Sequence, residues 1–418
     1  MNPHPSALSE PEASSVEPGL IDSSSAPVEP PRTTRREFLL FSPPAIGQAE
    51  IDEVVDTLRS GWITTGPKTQ QFEAAFQTRV EAPAALAINS CTAGLHLGLL
   101  SLGIQPGDEV ITTPMTFCAS ANVIEHVGAV PRFADVEADT LNLDPRAVEA
   151  AVTPRTRAIL AVHYAGHPVE LDSMRDIAGR HRLALIEDAA HAIPASYKGR
   201  LVGSAENPVA FSFYATKNLT TGEGGMLTGS PELIARARTL ALHGMSRDAW
   251  KRYGPGGSWF YEVEHPGFKY NMTDIQAAMG LAQLRQLADF QRRRRQIAEM
   301  YREAFQDVDA LETPVERAEV EHAWHLYVLR LRLGALRIGR NRFIEELRAR
   351  NIGTSVHFIP VHLHPYYRQK YNFRPDEFPV ALGNYQRMLS LPIHPRLSDR
   401  DVSDVVEAVL DVVRRFAR

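Results

Sequence analysis

The sequence predicts an α/β protein built on a large, mostly parallel β-sheet and followed by a smaller α+β domain. Three features lead there. Five apolar runs of strand length lie at 85–89 (ALAIN), 109–113 (EVITT), 158–162 (AILAV), 183–187 (LALIE) and 209–213 (VAFSF), most of them separated by helical stretches. Strands covered on both faces by helices need such continuous apolar runs. Beyond them, Leu281, Leu284, Leu287, Phe290, Ile297 and Tyr301 recur at near-helical spacing, as in a long amphipathic helix joining two domains. Finally, 418 residues with 44% hydrophobic content supply one large core and a companion.

In chain order, residues 1–37 are rich in Ser, Pro, Glu and Ala and poor in bulky apolar side chains. Such a segment cannot offset its ordering entropy, and a disordered tail is expected. The large domain is expected over 38–285 and the small one over 286–418. Alternating strands and helices gather ligands at the carboxyl ends of the strands, so the search for a site begins there. The run Arg292-Arg293-Arg294-Arg295 falls on the joining helix. Four consecutive residues point around a helix rather than to one patch, which reads as a solvated face. One arginine near Arg293 is kept as a candidate for gripping an anionic substrate.

Composition narrows the function further. A net charge of −5 gives no broad positive field for nucleic acid. Cys91 and Cys118 are too few for a disulfide framework or a metal cluster and fit a reducing compartment. No apolar run approaches the roughly 20 residues of a membrane-spanning helix. Thr34-Arg35-Arg36-Glu37-Phe38-Leu39-Leu40 has the look of a twin-arginine export signal, but Ser42, Pro43 and Pro44 interrupt its apolar part at once. A soluble cytoplasmic protein is expected.

Four segments carry chemistry. In 211–218 (FSFYATKN) a strand ends just before Lys217, and the small-residue run 221–225 (TGEGG) follows. Lysine is the side chain whose amine becomes neutral, and so able to attack a carbonyl, when buried or set beside other cations. Alone it would read as a surface lysine. In 185–191 (LIEDAAH) an acidic pair ends a buried strand, and Asp188 is placed to meet a cationic ring nitrogen or, more plainly, to cap the next helix. His191 could equally be a core histidine.

The turn 89–94 (NSCTAG) opens a helix whose free N–H groups suit a phosphate dianion, although the same letters make a good N-cap. Phe117, in 115–118 (MTFC), either stacks on a planar ligand or fills core. Gly222, Gly224 and Gly225 have the wrong spacing for a dinucleotide fingerprint.

These segments, with 60–67 (SGWITTGP), 163–166 (HYAG), 269–274 (KYNMTD) and 322–325 (HAWH), resemble the DegT/DnrJ/EryC1/StrS family of nucleotide-sugar aminotransferases. The likeness runs from about Phe38 to the end of the chain. Within the family it is similar to the enzymes that make UDP-4-amino-4-deoxy-L-arabinose. The resemblance implies the fold-type I architecture and pyridoxal 5'-phosphate as cofactor. By the same resemblance, Lys217 holds that cofactor as a Schiff base, Asp188 pairs with its pyridine nitrogen and His191 lies near the ring. Phe117 would stack on it, and Thr92, Ala93 and Ser212 would hold its phosphate.

Asn271 would reach the phosphate of the neighbouring subunit's cofactor, which implies a homodimer with shared sites. His325 and Lys269 are candidate substrate contacts. The implied reaction moves an amino group from glutamate to a 4-keto nucleotide sugar, with a UDP-sugar favoured and a dTDP-3-keto or dTDP-4-keto sugar as the alternative. Such sugars enter cell-envelope polysaccharide or other glycans. Phe117 stands where similar enzymes carry tryptophan, and Cys91 where they carry alanine or a similar residue, which bears on the substrate pocket.

Three other readings compete. A sugar dehydratase of this fold has histidine in place of the Schiff-base lysine, which Lys217 opposes. A cysteine desulfurase needs a reactive cysteine on a mobile loop, whereas Cys91 and Cys118 lie in the cofactor segments. A regulator that binds nucleotide sugar without turnover would have no use for the lysine and aspartate.

Overall fold

The computed structural model describes residues 35–245 and 260–418, so most of the expected N-terminal tail, residues 1–34, lies outside the described residues. The last tail residues are anchored: Arg35 pairs with Asp401 at 2.7 Å and Asp404 at 2.5 Å. Leu39 exchanges backbone hydrogen bonds with Asn351 and Gly353. Packing contacts are therefore made already at Arg35, ahead of Phe38.

Five strands come first: β1 (Ala84–Ile88), β2 (Glu109–Thr112), β3 (Val130–Phe133), β4 (Thr156–Val162) and β5 (Ala184–Asp188). Next come the two-residue strands β6 (Ser196–Tyr197) and β7 (Arg200–Leu201), then β8 (Val209–Ser212) and β9 (Gly225–Gly229). The main sheet runs β1-β9-β8-β5-β4-β2-β3. Pairing is parallel from β8 through β5, β4 and β2 to β3, while β9 runs antiparallel between β1 and β8. All five apolar runs are strands of this sheet, as the mostly parallel α/β architecture requires.

Two of its strands escaped the sequence reading. β3 contains Pro131, which a central strand would not tolerate, and it lies at the sheet edge. β9 begins and ends on glycine, so its three central residues are too short a signal to separate from a loop.

Helices cover both faces. Helix α1 (Gln48–Ser60) and helix α2 (Pro67–Val80) pack on the long helix Asp274–Phe305, with Phe72 and Phe76 buried against Phe211 and Phe213. Helix α3 (Cys91–Ser101) lies across the sheet, and helix α4 (Ala119–His126) follows β2. α3 carries Gly94 on its sheet-facing side, where a Cβ would come 2.7 Å from Ile88 Cδ1. Glycine lets the helix settle on the strands.

The long helix starts at a capping box, Thr273 with Gln276, and runs 32 residues, about 48 Å at 1.5 Å each. Its first half packs with Phe72 and Phe213, while Ile297, Tyr301 and Phe305 join the core of Leu329, Leu389 and Val405. The expected boundary at 285/286 thus falls inside one continuous helix. Beyond it lie β10 (Leu311–Glu312), β11 (Val320–Glu321), β12 (Tyr327–Leu331) and β13 (Met388–Leu391). β10, β12 and β13 form an antiparallel sheet. The helix Asp399–Phe416 covers it with Val402, Val405, Val409 and Val412 on one stripe. β11 pairs with β6, tying this region to the main one.

Candidate active site

At the carboxyl ends of β5 and β8 a cavity of about 410 Å³ opens. Its wall includes Ser90 and Thr92 after β1, Phe117 after β2, Asp188 and His191 at and after β5, and Ser212 and Lys217 at and after β8. His325, His357 and Phe358 close it from the C-terminal third of the chain. Six of the eight residues expected at the cofactor are thereby brought together, with His325 beside them.

Ser90 is the N-cap of α3 and accepts the N–H of Ala93 at 3.1 Å. Ala93, expected at the phosphate, is therefore turned into the fold, with its amide used by the cap. The first-turn N–H groups of Cys91 and Thr92 have no partner within the helix and carry the positive end of its dipole. Gly225 of β9 preserves this opening, since a Cβ there would stand 2.7 Å from Cys91 N and from Ser90 C.

Asp188 ends β5 and is 5% exposed. Its Oδ1 accepts the Ala190 N–H at 3.0 Å and its Oδ2 the Ser120 hydroxyl at 2.7 Å. Cys91 Sγ lies 3.8 Å from Oδ1 and 3.4 Å from the Ala210 carbonyl. Burial, with Asp188 nearby, pushes the Cys91 thiol well up, so it stays protonated.

Lys217 sits in the turn after β8, closed by its own N–H donating to Tyr214 O at 2.9 Å. Asn218 pins the turn, donating to Ile193 O at 3.0 Å and Ala323 O at 2.7 Å. Burial pulls the Lys217 ammonium down to about 8, against the opposing pull of Cys91 and Asp188. About a tenth of the amine is then neutral at pH 7 and about half near pH 8, far more than for an exposed lysine.

Three imidazoles share the cavity. His191 lies tilted against His325 at 4.4 Å and stacks on Phe358 at 5.8 Å, and burial followed by Lys217 drives its pKa well below the usual value. Burial does the same to His325, reinforced by His191 and Lys217. Both amide hydrogens of Asn218 are committed to carbonyls, so its oxygen accepts from His325 Nδ1 at 3.1 Å, and that tautomer is fixed. His357 bonds Ser390 Oγ at 2.9 Å, and burial with Lys217 lowers it to about 4. All three are neutral at pH 7.

The remaining sequence candidates stand elsewhere. Asn271 donates to Thr65 Oγ1 at 2.6 Å, and exposed Lys269 gives its carbonyl to Asn89 Nδ2 at 3.2 Å; neither lines this chain's cavity. The arginine run corrects the solvated-face expectation. Arg294 is buried, with Nη1 on the carbonyls of Trp324 and Ile393, and burial lowers it to about 9. Arg293 bonds Leu397 O and Asp399, so both are structural and none of the four lines the cavity.

Sequence reasoning missed Ser120, His357 and Phe358. Ser120 was within reach, since it is four residues beyond Thr116 in a segment that follows a strand end. The other two come from more than 130 residues away and carry no periodic signal.

This donor set fits pyridoxal phosphate. The start of α3 with Ser212 suits a dianion, Asp188 a protonated pyridine nitrogen and Lys217 an aldehyde. His191 Nδ1 is buried with no partner, a polar atom that a ligand's hydroxyl would satisfy.

The comparisons agree with this chemistry. The DegT/DnrJ/EryC1/StrS aminotransferase family pattern matches residues 44–410. The chain is 53% identical over 382 residues to the spore coat polysaccharide biosynthesis protein SpsC of Bacillus subtilis, covering 91% of this chain and 98% of that one. Among solved structures it is similar to Spr1654 of Streptococcus pneumoniae in its PLP-form: TM-score 0.84, 36% identity, 90% of this chain and 99% of the other. It also resembles Helicobacter pylori PseC, an aminotransferase involved in the biosynthesis of pseudoaminic acid (TM-score 0.83, 29% identity, covering 91% and 100%). On sequence, fold and cavity alike, this chain belongs to the DegT/DnrJ/EryC1/StrS aminotransferase family.

Proposed function

We propose that the protein uses pyridoxal 5'-phosphate to move an amino group from glutamate to the ketone of a UDP-linked 4-keto sugar, for cell-envelope or other glycan synthesis. The observation that carries this reading is that one cavity holds the Lys217 amine, the buried Asp188 carboxylate and a capped helix start. The sugar class draws support from the names of SpsC and PseC. The UDP nucleotide and the C4 position rest on the resemblance to the UDP-4-amino-4-deoxy-L-arabinose enzymes.

When bound, the cofactor supplies a carbonyl that takes up an amine and a ring that withdraws electrons. Asp188 holds a proton on the ring nitrogen. Lys217 would hold the cofactor through its amine and, with that amine free, would take and return a proton at the substrate carbon. The N–H groups of Cys91 and Thr92, with Thr92 and Ser212 hydroxyls, hold the phosphate. Phe117 stacks on the ring, His191 meets its hydroxyl, and His325 contacts the sugar. Asn271 and Lys269, lying off this chain's cavity, serve the partner subunit's site in a homodimer. The enzyme works in the cytoplasm; among the described residues no helix is long and apolar enough to cross a membrane.

Because only the neutral amine attacks, covalent capture of added pyridoxal phosphate by the cofactor-free protein should speed up as pH rises toward about 8 and level off above it. Stopped-flow absorbance measures this. A rate that is flat between about pH 6 and about pH 9 contradicts the amine assignment. For the substrate, the glutamate-loaded enzyme is mixed with UDP-4-keto, dTDP-4-keto and dTDP-3-keto sugars while return of the visible absorbance is followed. The UDP-4-keto sugar should react at least about ten-fold faster, a difference a few nucleotide and pocket contacts can supply. Preference for dTDP overturns the nucleotide, and reaction only at C3 overturns the position.

A further inference from the structure

Ser120 is fully buried on the first turn of α4, and its hydroxyl is surrounded by oxygen atoms: Asp188 Oδ2 at 2.7 Å, Thr116 Oγ1 at 2.8 Å and Phe117 O at 3.5 Å. An ionised carboxylate only accepts, so the single Ser120 hydrogen goes to Asp188, the shortest and charge-assisted contact. The Thr116 hydroxyl must then donate to Ser120. A directed chain results, Thr116 to Ser120 to Asp188, in which each bond polarises the next. It starts on the residue before Phe117 and ends on the carboxylate. Oδ1 takes the Ala190 N–H with the Cys91 thiol at 3.8 Å, so Ser120 is the one side-chain hydroxyl on the carboxylate.

We propose that Ser120, held by Thr116, is a positioning residue for amine transfer: it holds the Asp188 carboxylate oriented toward the cofactor's ring nitrogen. This rests on the pyridoxal-phosphate reading above. Removing the hydroxyl takes away the side-chain donor that fixes Oδ2, so the carboxylate is held less firmly against the ring nitrogen and would keep a proton there less well. Substrate contacts are untouched, so the loss falls on kcat.

The test uses the full-length holoenzyme as Ser120→Ala, Ser120→Thr and Thr116→Val, reconstituted with pyridoxal phosphate labelled with ¹⁵N in its ring. In Ser120→Ala, kcat for the glutamate half-reaction should fall about ten-fold with KM within about two-fold, as for one charged hydrogen bond. The ring ¹⁵N resonance should move toward that of an unprotonated pyridine. Ser120→Thr should restore both, and Thr116→Val should move the resonance the same way by less.

An unmoved resonance in Ser120→Ala, whether or not kcat falls, overturns the proposal. If that variant does not fold, Thr116→Val decides in the same way. Borohydride capture separates the two claims: cofactor fixed on Lys217 with the resonance unmoved overturns this proposal alone. Its absence from Lys217 in the unsubstituted enzyme overturns the cofactor reading and this proposal with it.

Discussion

Lys217→Ala abolishes turnover, by about 10⁴-fold or more, and removes the visible absorbance of the lysine-bound cofactor. The size of the loss follows from two roles lost together, covalent attachment and proton transfer at the substrate carbon. Among the described residues lining the cavity, Lys217 is the one lysine, and its amine is the group that burial brings to about 8. No other lining side chain offers both nucleophilicity and a proton-transfer range near neutrality, since the imidazoles are held neutral by burial. The fold should survive, because the turn is held by Asn218 and by backbone bonds rather than by the amine. Circular dichroism checks that, and single-turnover absorbance with glutamate checks the loss. Turnover within about ten-fold of the parent would remove Lys217 from the chemistry.

Asp188→Asn lowers kcat by about 10²- to 10³-fold with a small change in KM, in the range expected when one preorganised charge is lost from a buried site. An amide cannot stabilise a protonated pyridine nitrogen as a carboxylate does. It also has a single acceptor oxygen where Ala190 N–H and Ser120 Oγ now donate to two, so its NH₂ meets a donor. Near-normal turnover in steady-state assays would exclude the role.

Both residues were legible in the sequence for the same physical reason. A buried parallel strand is a continuous apolar run, and a ligand site forms where such runs end, so a lysine after 209–213 and an aspartate after 183–187 stand out. The helix start beside the cavity was legible to within a residue. A strand-to-helix turn of small residues announces a helix start, but which hydroxyl caps it depends on local dihedrals. Ser90 took that part, and Ala93 was drawn into the cap.

What the sequence concealed was decided by packing. Arg294 follows two exposed-looking arginines, yet the helix turns it into the core, where three carbonyls replace water. His357 and Phe358 reach the cavity through the tertiary fold, with no spacing that announces them. The antiparallel β9 depends on a glycine close approach that letters alone show as a loop.

The central claim is that Lys217 is the residue that holds pyridoxal phosphate. Borohydride reduction of the yellow holoenzyme, proteolysis and mass spectrometry of the labelled peptide test it directly. The reduced cofactor is expected on the peptide carrying Lys217, with glutamate added beforehand preventing the labelling; label on Lys198 or Lys269 instead, or none on Lys217, would overturn the assignment.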